Sequence, residues 1–175
     1  PFVYRIHEDP DEEKMFEFGT LVHNLGYTLK GINNEVHPRE LQQLLFKIKG
    51  TKEESLISNM MLRSMKKAIY SSDATQHFGL AAQYYCHFTS PIRRYPDLQI
   101  HRIIKGQLNG KFSEEDYQRL IERTAEVAEQ SSKMERIADE VERDCDKIKI
   151  AEYMSDKIGE KYEGVVSGVT SFGIF

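Results

Sequence analysis

A mainly helical fold with a short β tail is what the sequence predicts, on three observations. Apolar residues recur at three- and four-residue steps through much of the chain, proline, acidic and hydroxyl residues stand where helices begin, and from Glu163 onwards the composition turns to Gly, Val, Ser and Thr.

The elements follow in order. Pro1-Phe2-Val3-Tyr4-Arg5-Ile6 reads as extended. Asp9 can cap a first helix over roughly 10–25, with Pro10 at its opening position and Asp11, Glu12 and Glu13 at the positive end of its dipole. Leu25-Gly26 leads into a turn-rich segment, after which Pro38 starts a second helix with Leu41, Leu44 and Leu45 on one face, ended by Gly50. Thr51-Lys52-Glu53-Glu54 reads as a capping box for a third helix, whose Leu56, Ile57, Met60, Met61, Ser64 and Met65 make a broad packing face. A methionine-rich stripe can bind a partner or fill a core, and here it reads as core.

From Ser113 to about Lys161 the chain has helical character throughout, with Ser113 and Ser131 or Ser132 as caps for two successive helices. Met134, Ile137, Val141, Cys145 and Ile148 are spaced for one face, expected to be buried. In the tail, Val165-Val166, Val169 and Phe172 are separated by glycines and read as strands. The boundary falls between Gly159 and Glu163, giving domains at 1–160 and 161–175.

At 175 residues with a formal net charge of −4, the chain can bury one sizeable core and shows no overall basic excess, so any nucleic-acid site must be local. Cys86 and Cys145 stand far apart without metal spacing and are expected as buried thiols. No apolar run approaches the ~20 residues a bilayer requires and no signal peptide is legible, so the expectation is a cytoplasmic protein with no membrane partner. The start without Met and the stop at Phe175 inside an apolar stretch read as a piece of a longer protein.

The densest chemistry runs from His77-Phe78-Gly79-Leu80-Ala81 through His87-Phe88-Thr89-Ser90-Pro91-Ile92-Arg93-Arg94-Tyr95-Pro96-Asp97 to His101-Arg102. Thr89 or Ser90 can cap a helix that Pro91 opens, directing free backbone N–H groups to one point suited to an anion. Arg93 and Arg94 in its first turn would add planar donors for phosphate, with a kink or restart at Pro96. His101, Arg102 and Lys105 could extend a basic stripe. The alternative is a structural helix start whose arginines pair with acidic neighbours.

This run from His77 to Arg102 resembles the signature of the catalytic RNB domain of the ribonuclease II/ribonuclease R family. Pro1–His7, Ile48-Lys49-Gly50-Thr51 and Leu62-Arg63-Ser64-Met65 are also similar to it, and Ala151-Glu152-Tyr153-Met154 resembles the bacterial ribonuclease R branch. The resemblance implies a hydrolytic 3′-to-5′ exoribonuclease that threads single-stranded RNA to a two-metal site and releases nucleoside monophosphates. It implies the helical half of an α+β RNB catalytic domain, followed by the first strands of a truncated S1-type OB fold.

By the same resemblance, Arg93 matches an arginine that neutralises charge on the reacting phosphate, with Ser90 and Tyr95 as phosphate contacts and Arg94 and Arg102 as further candidates. Glu142, in Val141-Glu142-Arg143-Asp144, aligns with a helix carboxylate near the active site; its alternative is a solvated acidic face shared with Glu135, Asp139 and Asp146. Phe172 and Phe175 match the stacking platform of the OB fold. The family's magnesium is held by an aspartate cluster that this sequence lacks. No metal ligands are therefore assigned here, Mg2+ is expected on residues outside this chain, and the chain alone is expected to be inactive. A different class of reading is a non-catalytic helical module that binds RNA or protein.

Overall fold

In a computed structural model that describes residues 1–31, 36–110, 112–164, 166 and 169–174, the extended N-terminal segment becomes a strand. Strand β1 (Tyr4–Ile6) pairs antiparallel with β2 (Ile69–Ser71), Arg5 opposite Tyr70. The chain divides into two units, 1–133 and 134–175.

In the first unit, α1 (Glu12–Asn24), α2 (Pro38–Ile48) and α3 (Glu54–Ser64) form one core. The N-cap of α1 is Asp11 rather than Asp9: its carboxylate accepts from the Lys14 N–H, while Asp9 accepts from the Gln76 amide. Helix α1 ends where Gly26, at φ +87°, lets the Gly26 and Tyr27 N–H groups turn back to the His23 and Val22 carbonyls. Pro38 opens α2 as expected, and Leu41, Leu44 and Ile48 are buried.

The capping box before α3 forms only in part. The Glu54 carboxylate reaches back to the Gly50 N–H at 2.7 Å, but the Thr51 hydroxyl donates to the Ile48 carbonyl, closing α2 instead of capping α3. Phe18, Val22, Leu44, Ile48, Ile57 and Met61 pack together, with Met60 and Met65 partly buried against them, so the methionine stripe is core.

A second cluster joins β1 and β2 to α4 (Tyr95–Leu108) and α5 (Glu114–Ser155) through Val3, Tyr70, Ile100, Val127 and Ala128. Helix α5 is one helix of 42 residues where two were expected. Its start is as read, Ser113 and Asp116 capping each other's N–H groups. Ser132 does not cap: its hydroxyl accepts from the Tyr70 N–H at 2.9 Å and donates to the Tyr70 carbonyl, tying α5 to β2. A serine with a partner on a neighbouring strand has no need to break the helix for one.

Between β2 and α4, a 3₁₀ turn over Phe78–Leu80 is fixed by His7. The buried His7 ring donates from Nε2 to the Lys66 carbonyl at 2.7 Å and accepts at Nδ1 from the Gly79 N–H at 3.1 Å. A Cβ on Gly79 would lie 2.9 Å from that Nδ1, so the close approach needs glycine. His77 stacks edge-on against His7 and Tyr85, and burial, then the neighbouring His7, holds its imidazole below the ordinary value.

The second unit holds the rest of α5 and a hairpin of β3 (Val169–Thr170) and β4 (Gly173–Ile174). The Met134, Ile137, Val141, Cys145 and Ile148 face is exposed, not buried, because no described element packs on it. Cys145 is thus an exposed thiol and Cys86 a half-buried one, a correction for both. No described helix is long and apolar enough to cross a membrane. The fold is mainly α with a short β tail, as predicted.

Candidate nucleic-acid interface

The segment from Ser90 to Asp97 folds around one carboxylate. Asp97 is fully buried in the first turn of α4, and its Oδ2 accepts from the Ser90 N–H at 2.7 Å and from Arg94 Nη2 at 2.8 Å. The Ser90 carbonyl in turn accepts from the Arg93 and Arg94 N–H groups. Ser90 is therefore held at both its donor and its acceptor, which fixes the turn that carries Arg93.

Helix α4 starts later than expected. Residues 91–93 form a turn, Arg94 is the extended N-cap, and Pro96 lies in the first helical turn, where its missing N–H has no partner to lose. Pro91 opens no helix, and Pro96 marks a start, not a kink. Neither Thr89 nor Ser90 is the cap; Asp97, three residues past Arg94, gathers the donors.

The arginines of the turn differ in what they do. Arg94 is committed to Asp97, the ion pair that the structural alternative anticipated. Its Nε and Asp97 Oδ1 are buried without a hydrogen-bond partner, so the pair is single-pronged. Arg93 is exposed, and its guanidinium has no hydrogen bond or ion pair among the described residues. Ile92 beside it is fully exposed.

One turn further on, the exposed Tyr95 hydroxyl oxygen accepts from Arg102 Nη1 at 3.4 Å and from Arg123 Nη2 of α5 at 3.3 Å. The Arg123 contact is the first cause that lowers the Tyr95 phenol below its ordinary value, with Arg102 adding to it. His101 does not extend the basic stripe: its ring stacks on Phe88 at 4.2 Å and bonds the Phe88 carbonyl.

The structure thus gathers Ser90, Arg93 and Arg94 in one turn and Tyr95 with Arg102 on the helix that follows. Glu142 lies exposed on α5 in the second unit, as does Phe172 in the turn between β3 and β4. Phe175 lies outside the described residues. Two residues were not legible as participants, Asp97 and Arg123. The first carries a local signal, an acid in the first turn after Tyr95-Pro96; the second, 28 positions from Tyr95, carries none. Among the described residues no group of three or more His, Cys, Asp or Glu side chains could hold a metal ion.

The RNB domain profile matches residues 1–110. The chain belongs to the RNB domain family. Among curated relatives of this RNB chain, Ribonuclease R 1 of Lactococcus lactis subsp. lactis is 45% identical over 175 residues, covering all of the chain and 21% of the relative. Among solved structures, Mycoplasma genitalium RNase R in complex with ribose methylated single-stranded RNA is similar at a TM-score of 0.91 and 29% identity, over 99% of this chain and 28% of that one. Yeast Ssd1, a pseudonuclease, is similar at a TM-score of 0.57 and 26% identity, over 74% of this chain and 17% of that one. The RNB chain therefore spans between about a fifth and three tenths of these first two relatives.

Proposed function

We propose that this RNB chain is part of a metal-dependent, hydrolytic 3′-to-5′ exoribonuclease acting in the cytoplasm on single-stranded RNA and releasing nucleoside 5′-monophosphates. The observation that carries this is the turn fixed by Asp97, which presents Arg93 beside it with no hydrogen bond or ion pair of its guanidinium among the described residues. A guanidinium carried on a fixed turn, with no partner among the described residues, can meet charge as it develops on a phosphate without first breaking another contact.

In this reading Ser90, Tyr95 and Arg102 position the strand through its phosphates, and Arg94 supports the turn. Phe172 and Phe175 offer faces for stacked bases from an S1-type domain beginning at 161, with the catalytic domain occupying 1–160. Glu142, exposed on α5 in the second unit, is carried as a candidate catalytic carboxylate on the family resemblance. Magnesium held on residues outside this chain would activate a water as the nucleophile and offset charge on the phosphate. The described residues do not fit a magnesium site, so the roles of this chain are to bind, orient and neutralise.

The test is hydrolysis of labelled single-stranded RNA by the 175-residue chain and by the full-length gene product, each with magnesium and with chelator. Magnesium-dependent release of monophosphates by the full-length product alone is expected. Activity of the chain alone would mean that its carboxylates, Glu142 included, serve a metal site the reading excludes.

A second reading, a non-catalytic RNA- or protein-binding module, is favoured by the likeness to a pseudonuclease. It replaces the first if the full-length product retains RNA without cleaving it under magnesium.

A further inference from the structure

Two guanidinium groups from different helices point at one phenol oxygen. Arg102 of α4 and Arg123 of α5 both donate to the Tyr95 hydroxyl, at 3.4 and 3.3 Å. With two donors on its lone pairs, the phenol can engage a third group only by giving its own proton. The cluster then offers N–H and O–H donors and no acceptor, and the Arg123 contact, by lowering the phenol pKa below its ordinary value, makes that O–H a better donor.

Its charge is poorly balanced. Arg123 Nη1 meets Glu126 at 3.2 Å, but both side chains are more than half exposed, where such a pair contributes little, and one carboxylate faces two arginines. A site made of donors around two positive charges suits an anion with several acceptor oxygens, and planar guanidinium forks suit phosphate. The cluster carries its own exposed aromatic: the Tyr95 ring is exposed, with the Arg102 guanidinium over it at 5.9 Å from the centroid. Charge next to an aromatic favours a single-stranded nucleic acid over free phosphate.

We infer that Arg102, Tyr95 and Arg123 form a clamp for one backbone phosphodiester of single-stranded RNA, separate from the phosphate that Arg93 meets, and that Arg123 is a binding residue of this interface. The inference rests on the reading of the chain as part of an RNA-handling enzyme, but it needs only binding, not hydrolysis. It adds α5 to an interface otherwise built on the Ser90–Asp97 turn and α4.

The experiment is fluorescence anisotropy of a labelled single-stranded RNA oligonucleotide with the full-length gene product in chelator, over a series of salt concentrations. Arg123→Gln is expected to weaken binding about tenfold, as loss of a charged hydrogen bond does. It should also reduce the slope of log affinity against log salt by about 0.7, the loss of one single-strand phosphate contact. Arg123→Lys should keep the slope, and Glu126→Gln should tighten binding by freeing Arg123. An unchanged slope and affinity in Arg123→Gln overturns the clamp, as does weaker binding with an unchanged slope, the mark of a structural role. A changed slope in a protein that never releases monophosphates would leave the clamp standing and remove the exonuclease reading; normal hydrolysis with an unchanged slope would do the reverse.

Discussion

At Asp97 a single carboxylate oxygen serves a backbone N–H and a guanidinium inside the protein, with the second oxygen left without a partner. Removing it strands the largely buried Arg94 and the Ser90 N–H together. Asp97→Ala is therefore expected to lower unfolding stability by about 3 kcal/mol, the scale of breaking one side of a buried pair, read from denaturant midpoints. A change below about 0.5 kcal/mol, typical of an exposed site, would show that the pair does not hold the turn. Arg93 and Arg94 are neighbours of one type, which composition and spacing do not tell apart; only the family resemblance singled out Arg93. The difference lies in which one the buried carboxylate reaches, and that depends on α4 beginning at Tyr95. A helix opened by Pro91 would have placed both arginines in its first turn.

At the scale of elements, the joints between helices and strands depend on a few polar side chains. Ser132 satisfies both backbone groups of Tyr70, so Ser132→Ala is expected to cost about 1–3 kcal/mol for the buried donor left unmet. Urea unfolding of the variant reads it. Cap and dipole residues located α1, apolar spacing located α2 and α3, each of which buries a stripe of its own, and Ser113 located the start of α5, which it caps. These signals failed at Ser132, where a hydroxyl reads the same whether it caps a helix or bonds a strand 62 positions away. They failed again along Met134–Ile148, since spacing shows that apolar residues share a face, not that anything covers it. Strand β2 was missed because three residues are too few to display alternation.

The joint at His77 carries a pH dependence with a definite sign. Burial and the adjacent His7 disfavour its charged form in the folded protein. As pH falls, the unfolded chain takes up that proton first, near the ordinary value of 6.5, while the folded ring resists. Stability from this group is fully present above that value and is lost as pH falls through it towards the lower folded one. His77→Phe should flatten the dependence of the denaturation midpoint between pH 8 and pH 5 relative to wild type; parallel profiles would contradict the assignment.

For the molecule as a whole, a net charge of −4 is compatible with RNA binding because the relevant donors are concentrated on one turn and two helices. The resemblance legible between His77 and Arg102 agrees with the RNB profile over 1–110. It could not supply which of its arginines is unpaired. The measurement that bears most directly on that point is single-turnover cleavage and RNA affinity of Arg93→Ala in the full-length gene product, determined side by side. An arginine whose contact strengthens only as charge develops should lower the rate by about 10²–10³ while changing affinity by less than about threefold. Loss of affinity equal to the loss in rate would make Arg93 an ordinary strand-binding residue and contradict the account.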